Sequence, residues 1–161
     1  MKTAHVITVS TRAATGVYDD VSGAVLKDGL VELGYEVLSY DVVPDDFARI
    51  SQAIKNGLEY RADLIVTSGG TGVSLHDITP EATKPLLEKE IPGFGEAFRA
   101  YSREKVPAAD LTRGLTGISG KSLIINLPGS PNAVRDGLVI IKRLAHHIHD
   151  QLSGYDHIKN N

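Results

Sequence analysis

Ser68-Gly69-Gly70-Thr71-Gly72-Val73-Ser74-Leu75-His76-Asp77-Ile78-Thr79-Pro80-Glu81-Ala82 is the stretch that decides how this chain folds. The apolar run Leu64-Ile65-Val66 just before it has the composition of a strand buried on both faces. Three glycines follow at once, and a backbone free to take positive φ can aim several N–H groups at one anion. Thr79 reads as a helix N-cap, Pro80 suits the first helical position, and Glu81 complements the positive end of the helix dipole. Strand, glycine turn and capped helix in this order are the build of a phosphate site. Asp77 lies between turn and helix. It either holds a magnesium ion or orients a reacting group, or it bonds its own backbone as turn aspartates commonly do, and the adjacent glycines favour the first role.

Outward from this stretch, whose own strand is expected at Asp63 to Thr67, further strands are expected at Ala4 to Val9, Tyr35 to Val43 and Ser122 to Leu127. Helical patterns alternate with them. Leu26, Leu30 and Leu33 form one apolar face ended by Gly34; Phe47, Ile50, Ile54 and Leu58 form another behind Asp46 as N-cap. A closing helix begins after Ser130 and Pro131 and carries Val134, Leu138, Ile141, Leu144, Ile148 and Leu152 at its packing face. The expectation is a single-domain, three-layer α/β fold, a mostly parallel sheet with helices on both faces. Between Pro92 and Gly120 the alternation lapses: Gly93 to Arg103 reads as a helix, and Gly114, Gly117 and Gly120 mark a small β excursion.

The domain is expected to span residues 1–154, with 155–161 a polar tail. At 161 residues the chain fills one domain, and a chain of this size buries roughly 70% of its unfolded surface. It has no cysteine, so disulfides, thiolate chemistry and cysteine-based zinc sites are excluded and any chemistry falls to oxygen and nitrogen groups. No export signal is visible at Met1 to Ser10, and no apolar run approaches the ~20 residues that cross a bilayer. A net charge of −3 gives no reason to expect nucleic-acid binding. A cytoplasmic protein acting on small molecules, with neither membrane nor nucleic acid as partner, is the expectation.

In open α/β sheets ligands bind beyond the carboxyl ends of the strands. Ser10, Thr11 and Arg12 follow the first strand, with Tyr18, Asp19 and Asp20 further on; Pro44, Asp45 and Asp46 follow the second. The glycine turn with Asp77 follows the third, and Pro128, Gly129, Ser130 and Pro131 follow the fourth. Each group has a plain role as turn or cap. Together they surround one crevice with a nest of amides, two helix N-termini, an arginine and several carboxylates, which suits a polyphosphate with a divalent metal. Asp45 and Asp77 leave different strands and should face the same crevice, where two carboxylates repel unless a cation lies between them. His146, His149 and Asp150 are spaced to share a helical face, and polar side chains turned to solvent account for them better than a metal.

These residues resemble a known family, the molybdenum cofactor biosynthesis proteins MogA and MoaB, which share their fold with the G domain of gephyrin and the plant enzyme Cnx. The resemblance runs through most of the chain. It is carried by Val9-Ser10-Thr11-Arg12, Gly16-Val17-Tyr18, Asp20-Val21-Ser22-Gly23, Val43-Pro44-Asp45, Gly69-Gly70-Thr71-Gly72 through Thr83, Pro92-Gly93-Phe94-Gly95-Glu96 and Leu127-Pro128-Gly129-Ser130-Pro131. The resemblance implies magnesium- and ATP-dependent adenylylation of molybdopterin, with release of pyrophosphate. It implies Asp45 and Asp77 as catalytic and magnesium-binding carboxylates. Ser10, Arg12, Gly69, Gly70, Thr71, Gly72, Gly129 and Ser130 are then the nucleotide- and phosphate-binding residues, with Ser130 near the pterin end. It further implies a homotrimer, or a hexamer in the MoaB branch, with either molybdenum or tungsten as the eventual metal. Two positions depart from the pattern: Thr11 stands where the adenylyltransferases commonly have Asp, and His76 where they commonly have Arg. A non-catalytic molybdopterin carrier of the MoaB kind is therefore the alternative. A gephyrin-like scaffold has less support because the chain carries no second domain, and a nicotinamide dehydrogenase less still because Ser-Thr-Arg replaces the glycine fingerprint after the first strand.

Overall fold

The computed structural model describes residues 1–154; the proposed polar tail at 155–161 lies outside the described residues. In chain order the elements are β1 (Lys2–Val9), α1 (Thr11–Ala14), α2 (Val21–Glu32), β2 (Tyr35–Val43), α3 (Phe47–Glu59), β3 (Leu64–Ser68), α4 (Thr79–Thr83), β4 (Lys89–Glu90), α5 (Pro92–Arg103), β5 (Thr116–Ser119), β6 (Ser122–Leu127) and α6 (Pro131–Leu152). Short 3-10 turns sit at Lys84–Leu86 and Pro107–Leu111.

The strands form one sheet in the order β2-β1-β3-β6-β5-β4. β2, β1, β3 and β6 run parallel, and β5 and β4 add an antiparallel edge; β5 is the β excursion expected before the last strand, and β4 was not expected. Every residue of β3 and of β6 is buried, as a strand covered on both faces requires. One face of the sheet packs Ala4, Val6, Leu64, Val66, Leu123 and Ile125 against Leu26 and Leu30 of α2, Phe94 and Phe98 of α5, and Val134, Ile140 and Ile141 of α6. The other packs Ile7, Ile65 and Ile124 against Ile50 and Ile54 of α3 and Ala82 of α4. The three layers are thus observed. Each fully buried Leu or Ile contributes about 1.5–3 kcal/mol.

β1 lies inside the sheet between β2 and β3, so the chain leaves it in opposite directions and opens a switch point beyond the ends of β1 and β3. The elements meeting there follow the local rules at two of three expected caps. Asp46 accepts from Arg49 N at 2.9 Å and Ser130 from Ala133 N at 3.1 Å, with Pro131 as first helical residue. Thr79 does not cap α4. Ile78 occupies that position without a side-chain bond, and the wholly buried Thr79 hydroxyl donates instead to the carbonyl of Gly69 at 2.9 Å. A buried peptide carbonyl needs a donor, and the Thr79 hydroxyl supplies it. α4 is also only five residues long, so little macrodipole is available there.

His149 corrects a second expectation. It is buried, and Tyr35 OH lies 2.9 Å from its Nε2, so it belongs to the helix–sheet interface, whereas His146 is exposed beside Asp150 at 3.3 Å. Among the described residues no group of three or more His, Cys, Asp or Glu could hold a metal ion, and no helix is long and apolar enough to cross a membrane.

Candidate active site

A cavity of about 720 Å³ opens at the switch point, lined by the ends of β1 and β3, by the turn that follows β6 and by the first residues of α2 and α6. Ser10, Asp45, Gly69, Gly70, Thr71, Gly72, Asp77, Gly129 and Ser130 all line it. Arg12 does not. It is exposed on α1, where its carbonyl accepts from Val17 N at 2.9 Å.

The glycine turn takes the shape its sequence permits. Gly69 and Gly70 have φ of +108° and +68°, and the turn is fixed by Gly69 N donating to Leu127 O at 2.9 Å and Thr79 N donating to Gly70 O at 3.1 Å. The N–H groups of Gly70, Thr71 and Gly72 meet no protein acceptor among the described residues. Three consecutive free amides at a cavity wall form an anion nest. At the α6 end Ser130 satisfies Ala133 N, while Asn132 lines the cavity beside it with the positive end of a 22-residue helix behind.

The two carboxylates are held differently. Asp45 Oδ2 accepts from the Thr11 hydroxyl at 2.9 Å and from Thr11 N at 3.2 Å, and Asp45 N donates back to Thr11 Oγ1 at 3.1 Å. Asp77 Oδ2 accepts from Ser74 N at 3.0 Å, closing the loop that follows the turn. Both stand against the turn: a Cβ built on Gly70 would come 3.4 Å from Asp45 Oδ1, and one on Gly72 would come 2.8 Å from Asp77 Oδ2. Two hard oxygen donors beside free amides fit a magnesium ion that completes its shell with water and phosphate oxygens. His76 is exposed and does not line the cavity.

Sequence reasoning missed Arg113. Its Nε donates to Gly72 O and its Nη2 to Asp77 O, both at 2.8 Å, and its Nη1 pairs with Glu81. The guanidinium therefore ties both ends of the glycine loop to α4, and it holds the Glu81 carboxyl below the usual carboxylate range. No local pattern announces it; a lone Arg-Gly pair in an irregular segment carries no spacing signal. Thr8 and Ser68 were also missed. They are paired in register at the ends of β1 and β3, line the cavity, and have buried hydroxyls without a hydrogen-bond partner. The strand-end rule could have found them, because each is the last polar residue on its strand's α2/α6 face. The apolar remainder of the lining, from Phe98 on α5 and Val106, Ala109 and Leu111 beyond it, comes from the segment where the sequence pattern lapsed.

On the near side of the cavity, Asp20 caps α2 by accepting from Gly23 N at 2.9 Å and also takes the Tyr40 hydroxyl. Ser22 Oγ donates to Gly129 O at 2.5 Å, so the start of α2 is fastened to the turn that starts α6.

Residues 5–147 match a family model described as a probable molybdopterin binding domain. A molybdopterin adenylyltransferase of Helicobacter pylori is 48% identical over 143 residues, covering 86% of this chain and 81% of the relative. A molybdenum cofactor biosynthesis protein B of Bacillus cereus is 40% identical over 132 residues, covering 79% and 78%. The crystal structure of the tungsten cofactor synthesizing protein MoaB from Pyrococcus furiosus superposes with a TM-score of 0.88 at 42% identity, covering 94% of this chain and 97% of that one. The ordered motifs, the sheet with its switch-point cavity and these matches agree, and the chain belongs to the molybdopterin-binding MogA/MoaB family.

Proposed function

We propose that this chain is a molybdopterin adenylyltransferase of molybdenum cofactor biosynthesis. The observation that carries the reading is the junction of three free amides at Gly70–Gly72 with Asp45 and Asp77 in one cavity large enough for a nucleotide and a pterin. Relatives that bear the name adenylyltransferase at 46–48% identity support the same reading. In the reaction an oxygen of the molybdopterin phosphate attacks the α-phosphorus of ATP, the bond from that phosphorus to the bridging oxygen breaks, and pyrophosphate leaves. The chain's part is positioning and charge balance. The amides of Gly70, Thr71 and Gly72 bind phosphate oxygens, and the Ser130 turn at the start of α6 receives the anionic end of the second substrate. Asp45, pre-oriented by both donors of Thr11, and Asp77, pre-oriented by Ser74 N, would hold magnesium, which when bound neutralises phosphate charge. A cytoplasmic homotrimer is part of the same proposal, and sedimentation analysis decides the assembly.

Purified protein with magnesium, ATP and molybdopterin should release pyrophosphate only when all three are present. Asp77→Asn should lower turnover at least about hundredfold with the fold intact. Normal turnover in that variant removes the role given to this carboxylate, and pterin binding without any ATP consumption replaces the enzyme by the carrier.

A further inference from the structure

Asp136 has no part in the scheme above, yet it lies on the cavity wall. It sits in the second turn of α6, about 8 Å along the axis from Pro131 at the helix start. The residue is only 6% exposed and lines the same cavity as the glycine turn. Its carboxylate is firmly aimed: Oδ2 accepts from Ser102 Oγ at 2.8 Å and Oδ1 from Lys105 Nζ at 2.6 Å. Ser102 is itself buried, and Lys105 reaches in from the surface with its ammonium 4.7 Å from the centre of the Tyr101 ring. A carboxylate offers about four acceptor sites. Two are used, so each oxygen keeps one free lone pair.

The surroundings say what would use them. Phe98, Val106, Ala109 and Leu111 supply an apolar wall to this part of the lining, so a flat ring is favoured there and a polar group on its edge would need a partner. Two parallel acceptors match a ring edge carrying two adjacent donors. The 2-amino-4-oxo edge of a pterin presents such a pair, N3–H and the 2-amino group.

We infer that Asp136 is the specificity-determining residue that reads the 2-amino-N3–H edge of the pterin ring, held in aim by Ser102 and Lys105. The inference rests on the pterin substrate proposed above and adds to it the atom that selects the ring. A 2,4-dioxo ring of the same shape, as in lumazine, turns an oxygen toward Asp136 and leaves one carboxylate lone pair facing another acceptor. Such a mispairing at a site built for hydrogen bonding costs about ten- to hundredfold in affinity.

The test measures pterin and lumazine binding by the full chain, each by displacement of bound molybdopterin, with ATP binding recorded in parallel. Wild type should prefer pterin about ten- to hundredfold. Asp136→Asn keeps the shape and the Ser102 contact but offers one acceptor and one donor, which suits lumazine. Its preference should vanish or reverse while ATP affinity stays within about twofold. Loss of ATP binding and of both rings together would mean a misfolded variant, and Asp136→Glu, which keeps two acceptors, then decides by retaining the pterin preference or not. A wild type indifferent to the two rings, or an Asp136→Asn variant that keeps the pterin preference, overturns the inference and leaves the adenylyltransferase reading standing. A wild type that binds no molybdopterin brings down that reading itself.

Discussion

An alanine at Gly70 separates two costs that the glycine turn avoids. The first is backbone: φ is +68°, and a residue with a Cβ pays roughly 1–2 kcal/mol for that conformation. The second is crowding. The added Cβ would overlap Thr79 Oγ1 and lie 3.3 Å from Thr79 Cβ. Thr79 is wholly buried and its hydroxyl is committed to Gly69 O, so it cannot swing aside. Forcing an extra carbon into such a place costs typically 1–3 kcal/mol. The sum is about 2–5 kcal/mol, or about 4–20 °C in melting temperature for a domain of this length. Urea unfolding should show a lower midpoint with an unchanged slope. Thr79→Ala removes the overlapping oxygen and alone costs about 1–3 kcal/mol through the orphaned carbonyl. In that background Gly70→Ala should cost only the backbone share, so the double-mutant cycle should show a favourable coupling of about 1–3 kcal/mol. Additive losses would refute the crowding argument, and an unchanged midpoint in Gly70→Ala would refute both parts.

Thr11→Val removes the hydroxyl that both donates to and accepts from Asp45, so pyrophosphate release should fall about tenfold with little change in urea midpoint, since the pair is exposed. Arg113→Met frees the carbonyls of Gly72 and Asp77 together; ATP affinity, measured by calorimetry, should drop about tenfold and stability by about 1–3 kcal/mol. Burial holds His149 below its ordinary range, with Lys2 adding to the effect, and burial holds His5 below it against the pull of Asp41. Each therefore binds fewer protons folded than unfolded, so its share of stability is present above about pH 6.5 and lost as pH falls below it. Urea midpoints taken between about pH 7 and 5 should decline, and less steeply in His149→Gln. Burial and the nearby Asp63 push the Tyr35 hydroxyl up to about 12; stability should likewise fall as pH climbs past the unfolded value of about 10 toward that figure.

What the sequence disclosed follows from how local each determinant is. The run Leu64 to Val66, the glycines behind it and the caps at Asp46 and Ser130 are interactions within four residues, so reading along the chain recovers them. Of the antiparallel edge, β5 was marked by its flanking glycines, whereas β4 has two residues and no periodicity to detect. Thr79 misled the reading for a definable reason: its hydroxyl could serve a helix amide or a turn carbonyl, and the choice belongs to Gly69, ten residues away. Asp136, Ser102 and Arg113 were out of reach because their bonds span 31 to 41 residues. His149 likewise reads as polar decoration until Tyr35, 114 residues distant, is packed against it.

The two departures from the adenylyltransferase pattern bear on whether this site is a catalyst or a carrier, and the surrounding contacts bear on both. An aspartate at position 11 would place a second carboxylate against Asp45 and depend on a cation to stay there. Thr11 instead gives Asp45 two donors, so the carboxylate is aimed before any metal arrives and the turn carries one negative charge fewer. His76 is exposed and is not among the residues that line the cavity, so its imidazole takes no part in the site as it stands. Arg113 already supplies a guanidinium to the carbonyls of Gly72 and Asp77 from behind the loop. A carrier that only holds the pterin has no use for a rigid amide nest with two separately clamped carboxylates beside it. An enzyme that must fix a triphosphate and its metal in line with an incoming phosphate does. The departures therefore change how the charges are held and leave the arrangement for phosphoryl chemistry in place, and this weighs the balance toward catalysis.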